Sequence, residues 1–252
     1  MTDWYELVDK KLKGVIQRDG KKEKTLDEVF DKRTLLAFYK LFSRGVLSRV
    51  DFPISTGKEA NIFKATTPQG KSVAVKIYRI NTSTFRRLRE YAESDPQFDL
   101  RHSSKSKIIF EWTKKEYSNL RLLWNAGVRV PEPIVYLNNI LVMEYLGSEQ
   151  KPAPLLRETN LTNPSEVFDQ ITQDLVKAYK RANLVHSDLS SFNIMIHQGV
   201  PWLFDVAQAV SRDHPRAGEF LDRDIKNLVN YFGKLGVHVS KSIIYNKLSD
   251  KK

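Results

Sequence analysis

The stretch Leu184-Val185-His186-Ser187-Asp188-Leu189-Ser190-Ser191-Phe192-Asn193 sets a carboxylate five residues before a carboxamide, and Asp205 follows Asn193 by twelve residues. An aspartate so placed can accept or orient a hydroxyl proton, while the oxygens of Asn193 and Asp205 are hard donors suited to magnesium. A turn at Gln198-Gly199 would fold the intervening segment into a hairpin and carry Asp205 beside Asn193. Upstream, Lys76 lies in the strand-forming run Val73-Ala74-Val75-Lys76-Ile77, where a cation could meet phosphate. Ser55-Thr56-Gly57-Lys58-Glu59-Ala60 supplies a small flexible residue at which backbone N–H groups can approach a phosphate closely. Each fragment alone has an ordinary explanation: a Gly-Lys pair is commonly a hairpin turn, this one lacks the Walker spacing, and a strand lysine commonly faces solvent. In order, and together, they make a site for phosphoryl transfer.

The elements that must position these residues are legible in the apolar pattern. Thr25 and Glu28 form a candidate capping box, and Leu35, Phe38, Tyr39 and Phe42 recur at helical spacing before Gly45. Residues 10–24, rich in lysine, read as a basic surface or flexible segment. Ile62–Ala65 and Val73–Tyr78, joined through Pro68-Gln69-Gly70, predict antiparallel strands. Residues 81–107 show no period and read as a long flexible insertion. A helix then runs to Asn125 on the stripe Ile109, Trp112, Glu116, Leu120 and Leu123, with Glu111 on a polar face. A carboxylate within an apolar stripe is costly to bury alone, so Glu116 is expected to meet a cation, with Lys76 the natural partner; the other reading puts Glu116 at the stripe margin, reaching solvent. Two short strands surround Asn138-Asn139, and Glu144-Tyr145-Leu146-Gly147 reads as a hinge. Asn163-Pro164 opens a helix carrying Phe168, Ile171, Leu175 and Ala178, and a final helix carries Leu221, Ile225, Leu228 and Phe232. Sheet first and helices later predict an α+β protein with two lobes. The boundaries are a helical extension over 1–48, a small sheet lobe over 49–143, and a hinge with a helical lobe over 144–252.

Composition narrows the function further. The chain of 252 residues has no cysteine, which removes disulfides, thiolate metal sites and a cysteine nucleophile. No run approaches the ~18 apolar residues of a membrane span and no secretory signal is apparent, so a cytoplasmic location without a membrane partner is expected. The net charge of +11 sits wholly in the first half: residues 1–130 hold 27 Lys and Arg against 16 Asp and Glu, and residues 131–252 hold 14 of each. Such asymmetry suits a polyanionic partner, nucleotide phosphate or RNA, and equally a solvated basic surface.

The ordered set Lys76, Glu116, Asp188, Asn193 and Asp205 resembles the lysine, helix glutamate, H-x-D-L-x-x-x-N loop and metal-binding aspartate of protein kinases, although Val206-Ala207 replaces Phe-Gly after Asp205. More specifically, Ser-Thr-Gly-Lys-Glu-Ala, His-Ser-Asp-Leu-Ser-Ser-Phe-Asn and Asp-Val-Ala-Gln-Ala-Val together resemble the RIO family of atypical serine/threonine protein kinases, from about Leu26 to Phe232 and including Pro215 and Glu219–Asp224. The first-type subgroup is the better match, because the 48 residues before the sheet lobe are not expected to supply the winged helix of the second type. Brevity likens the chain to archaeal members. The resemblance implies a two-lobed kinase-like fold with Asp188 as catalytic base and Asn193 and Asp205 as metal ligands. It implies Lys76 on the phosphates of ATP, adenine bound by the backbones of Glu144 and Leu146, and a framework role for His186. It implies ATP with Mg2+, or Mn2+ in its place, and a part in maturation of the small ribosomal subunit precursor and its RNA. Serines in 81–107 would be available for autophosphorylation. Only 47 residues follow Asp205 and no A-P-E segment appears, so a standard peptide-docking platform is not expected. Serine autokinase and ATPase acting through phosphoaspartate at Asp205 therefore compete. The other readings are a choline- or aminoglycoside-kinase-like small-molecule phosphotransferase and a non-catalytic, ATP-bound ribosome-assembly factor.

Overall fold

The computed structural model describes residues 3–16, 30–80 and 104–249, in two compact units. One comprises Met1–Lys114 with Pro133–Tyr145, the other Lys115–Glu132 with Leu146–Lys252.

The first unit begins with α1 (Asp3–Ile16) and α2 (Lys32–Ser43), followed by β1 (Arg49–Thr56), β2 (Ala60–Thr66) and β3 (Ser72–Tyr78). Asp31 caps α2, its carboxylate accepting from the N–H groups of Arg33 at 2.9 Å and Thr34 at 3.2 Å. After the start of α3 (Lys105–Asn125) the chain returns as β4 (Pro133–Leu137) and β5 (Ile140–Glu144). The five strands form one antiparallel sheet in the order β1-β2-β3-β5-β4. Central β3 is buried almost throughout, which is why its sequence is a continuous apolar run broken only by Lys76. Val8, Leu12, Leu35, Phe38 and Leu41 share a core with Phe63, Val75, Ile77, Ile140 and Val142, so both N-terminal helices are fastened to the sheet. Burial of side chains of this size stabilises by about 1.5–3 kcal/mol each.

The second unit takes the remainder of α3, then α4 (Pro164–Lys180), β6 (Leu184–Val185), β7 (Ile194–His197), β8 (Val200–Leu203), β9 (Val210–Ser211), α5 (Ala217–Lys234) and α6 (Lys241–Ser249). Asn163 caps α4, accepting from Glu166 N–H at 3.3 Å ahead of Pro164 in the first turn. The predicted stripes of α4 and α5 are both buried, and Phe168 meets Phe232 edge to face at 5.3 Å.

Several elements differ from the sequence expectation. Residues 10–16 are helical, because Trp4, Val8 and Leu12 make a stripe four residues apart that the surrounding lysines disguise. Residues 105–107 belong to α3 and so leave the insertion expected over 81–107. Helices α1 and α2 pack into the sheet's core, and 115–132 groups with the second unit. The helix over 217–234 is not the last. It is followed by α6, which buries Ile244 and is tied down by polar contacts: Lys241 Nζ to Asp222 at 2.6 and 2.8 Å, Tyr245 hydroxyl to Asp222 at 3.1 Å, and Lys247 to Asp169 at 3.0 Å. Contacts of that kind leave no hydrophobic period to read. The Thr25–Glu28 capping box and residues 81–103 lie outside the described residues.

Candidate active site

In the second unit, β7 and β8 form a two-stranded hairpin whose turn residues Gln198 and Gly199 take φ of +52° and +79°. Left-handed geometry at both central positions matches the twist of the flanking strands, and glycine adopts it without a Cβ penalty. The hairpin returns the chain to its start: Phe204 N–H donates to the Asn193 carbonyl at 3.1 Å, which sets Asp205 next to Asn193. Asp205 itself has φ of +57°, a left-handed conformation uncommon for a residue with a side chain.

Asp188 is held from two sides. Asn193 Nδ2 donates to the Asp188 backbone carbonyl at 2.8 Å and to its Oδ2 at 3.1 Å. That leaves the Asn193 side-chain oxygen, Oδ1, available as an acceptor. From α5, the buried Asp224 carboxylate accepts from the N–H groups of Ser187 at 2.8 Å and Leu189 at 2.9 Å, gripping the peptides on either side of Asp188. Arg223 donates to the Ser187 carbonyl, and Asn227 to that of Leu189 at 3.0 Å. His186 is buried, with Nε2 hydrogen-bonded to the Phe204 carbonyl at 3.1 Å, and so links the Asp188 loop to the Asp205 strand.

The electrostatics follow from this packing. Burial is the largest influence on Asp188 and pushes its carboxyl above the ordinary aspartate value. His186 and the Asn193 hydrogen bond oppose that rise, nearby Asp205 adds to it, and Arg223 opposes it. Burial likewise raises Asp224, against the attraction of His186 and the two amide donors.

The first unit places most of the remaining candidates. Ser55 and Thr56 end β1, and Gly57 N–H donates to the Ala60 carbonyl at 2.9 Å across the turn that contains Lys58 and Glu59. A Cβ on Gly57 would meet that carbonyl oxygen at 3.1 Å, so the tight turn favours glycine. Residues 55–58 are exposed. Lys76 is 7 % exposed, on β3 between Ile62 and Leu141, its ammonium 5.0 Å from the Tyr78 ring centre. Glu144 ends β5 opposite Val73. In the second unit, Leu146 is buried with its carbonyl accepting from Ala153 N–H at 2.9 Å, and Glu116 on α3 is 1 % exposed within its apolar stripe.

Sequence reasoning assigned no role to Asp224, Arg223 or Asn227. The signal was present: Asp224 falls on the Leu221–Leu228 stripe of α5, so a carboxylate must be buried there, the same argument that singles out Glu116. Replacing Asp224 with alanine leaves the Ser187 and Leu189 amides without their acceptor. At roughly 1–3 kcal/mol per buried unsatisfied donor, a loss of about 2–6 kcal/mol in unfolding free energy is expected by urea titration. Asp224→Asn, which keeps an acceptor oxygen, should lose distinctly less.

The donor set also bears on metal binding. Among the described residues no group of three or more His, Cys, Asp or Glu could cage an ion. Magnesium is commonly bound by one or two protein oxygens together with waters and substrate phosphates, and the Asp205 carboxylate with the Asn193 side-chain oxygen fits that pattern. Among the described residues no helix is long and apolar enough to cross a membrane.

The RIO domain, as defined across its family, matches residues 61–244. The chain is 41 % identical over 228 residues to the RIO-type serine/threonine-protein kinase Rio1 of Haloferax volcanii, spanning 90 % of this chain and 78 % of that protein. It is 36 % identical over 229 residues to the corresponding kinase of Methanocaldococcus jannaschii, with the same coverage of 90 % and 78 %. Against human serine/threonine-protein kinase RIO1 it is 36 % identical over 228 residues, 88 % of this chain and 40 % of that longer protein. Among solved structures, the Rio2 kinase of Chaetomium thermophilum, in an ADP/Mg2+-phosphoaspartate complex, superposes with a TM-score of 0.67 at 21 % identity, covering 88 % of this chain and 68 % of the other. That likeness carries the α+β, two-lobed kinase-like fold, and the sequence matches carry the enzyme class. With the family matched over most of the length, this chain belongs to the RIO family of atypical serine/threonine protein kinases.

Proposed function

We propose that this chain binds ATP with Mg2+ and transfers the terminal phosphoryl group to Asp205 and then to water, or to a serine hydroxyl, during maturation of the small ribosomal subunit precursor and its RNA in the cytoplasm. The observation that carries the reading is the Asp188–Asn193 hydrogen bond beside the hairpin that returns Asp205 to Asn193. Asn193 and Asp205 would hold the metal, which neutralises phosphate charge when bound. Ser55, Thr56, Gly57, Lys58 and Glu59 line the phosphates through backbone N–H groups, Lys76 pairs with phosphate oxygens, and Glu116 supports that lysine. Glu144 and Leu146 contact adenine through their backbones.

In the first step a carboxylate oxygen of Asp205 attacks the γ-phosphorus, the bond to the β,γ-bridging oxygen breaks, and ADP leaves. Water then attacks the acyl phosphate and gives its proton to Asp188, releasing phosphate and restoring Asp205. The Rio2 kinase of Chaetomium thermophilum was solved as an ADP/Mg2+-phosphoaspartate complex, which supports the first step here. In the serine branch, Asp188 accepts the hydroxyl proton instead. The basic first half suits an RNA-bearing partner. Incubation with γ-labelled ATP and magnesium, followed by hydroxylamine, tests the reading: an acyl phosphate loses its label and phosphoserine keeps it. Label confined to hydroxylamine-stable serine, with no ATP hydrolysis even alongside small-subunit precursors, overturns the ATPase branch.

A further inference from the structure

Asn119, on α3 three residues after Glu116, is buried and reaches across 87 residues of sequence to the segment that follows Asp205. Its Nδ2 donates to the Val206 carbonyl at 2.9 Å and to the Ala209 carbonyl at 3.3 Å. The Val206 carbonyl also accepts from Ala209 N–H at 3.1 Å, so the side-chain amide closes onto a turn that already closes on itself. Both amide hydrogens are committed in a setting where Val206, Ala207 and Ala209 are all buried. Asp205 enters this turn from a left-handed φ of +57°, a conformation that surrounding contacts must maintain. The residue two beyond it is Ala207, whose Cβ closes off the backbone freedom a glycine would have.

We propose that Asn119 is a positioning residue for Asp205: it locks the metal-binding segment onto the helix that carries Glu116. The segment then has one arrangement and moves only with α3, because releasing it breaks two buried hydrogen bonds and exposes the Val206 side chain. This inference rests on the reading of Asp205 as a metal ligand.

The test compares Asn119→Leu, which keeps side-chain volume and loses the donors, with Asn119→Asp, which is isosteric and also lacks N–H groups. Fluorescent ADP binding titrated with magnesium, and amide exchange over 205–209, are the readouts. In both variants the magnesium midpoint should rise about tenfold, the equivalent of one lost charge-orienting hydrogen bond, and amides 206–209 should exchange faster. Ile171→Val, a core change on α4, lowers thermal stability without moving the midpoint. A midpoint within about twofold of wild type in folded Asn119 variants overturns the proposal. Should neither variant fold, exchange on the wild-type chain decides: the clamp requires amides 206–209 to share the protection of α3, and free exchange there beside a protected α3 overturns it. Asp205→Ala separates the two readings. If it leaves the midpoint unchanged, the metal assignment fails; if it shifts the midpoint and the Asn119 variants do not, only the clamp fails.

Discussion

Replacing Asp188 with alanine lowers phosphoryl transfer to water or to a serine hydroxyl by about 10²–10⁴-fold, the usual contribution of a positioned general base, while nucleotide binding persists. A base acts on the transition state, and no phosphate contact is assigned to Asp188, so the loss should appear in kcat with little change in nucleotide affinity. Wild-type activity should also show an acid limb displaced upward from the ordinary aspartate range. The protonated acid cannot accept a proton, and burial raises the Asp188 pKa, so activity falls as pH drops through that raised value. Measurement of kcat against pH for both forms checks the two statements together. Near-normal turnover in Asp188→Ala removes Asp188 from the chemistry.

Asp205→Ala is expected to act differently, on magnesium-dependent nucleotide binding and turnover at once. Its carboxylate is assigned both to the metal and to the transferred phosphoryl group, so the variant should lose hydroxylamine-labile label entirely and need roughly tenfold or more magnesium to bind ADP. Equilibrium binding with and without magnesium reads the first effect, and chemical stability of the label the second. Acyl-phosphate label that persists in Asp205→Ala assigns the acceptor to another carboxylate. Asp224→Ala, in contrast, should depress stability first and catalysis only through the loosened Asp188 loop.

Most of the second unit's helices could be read from the chain, because α4 and α5 bury one face and their apolar residues recur at helical steps. The hairpin between Asn193 and Asp205 was legible as well, since Gln198-Gly199 supplies a left-handed turn between two β-prone runs. The candidate chemical residues could be named from the chain because their types and order suggest the chemistry whatever their surroundings. Helices α1 and α6 were not: the first hides a narrow stripe among lysines, and the second is tied down largely by Asp222, Asp169 and their cationic partners. No local pattern announces an ion pair to a residue some twenty or eighty positions away.

The sequence by itself determined which groups are available for catalysis and, through periodicity, which helix faces must be buried; both depend on residue type and on neighbours a few positions apart. Only the tertiary structure decided how those groups are held. Asp224 fastens the peptides beside Asp188 from 35 and 37 residues away, and Asn119 fastens the turn after Asp205 from 87 and 90. Hydrogen bonds of that reach depend on where the folded backbone brings a buried donor and acceptor together. Periodicity can mark Asp224 as a buried acid that needs partners, yet it cannot name the amides that satisfy it.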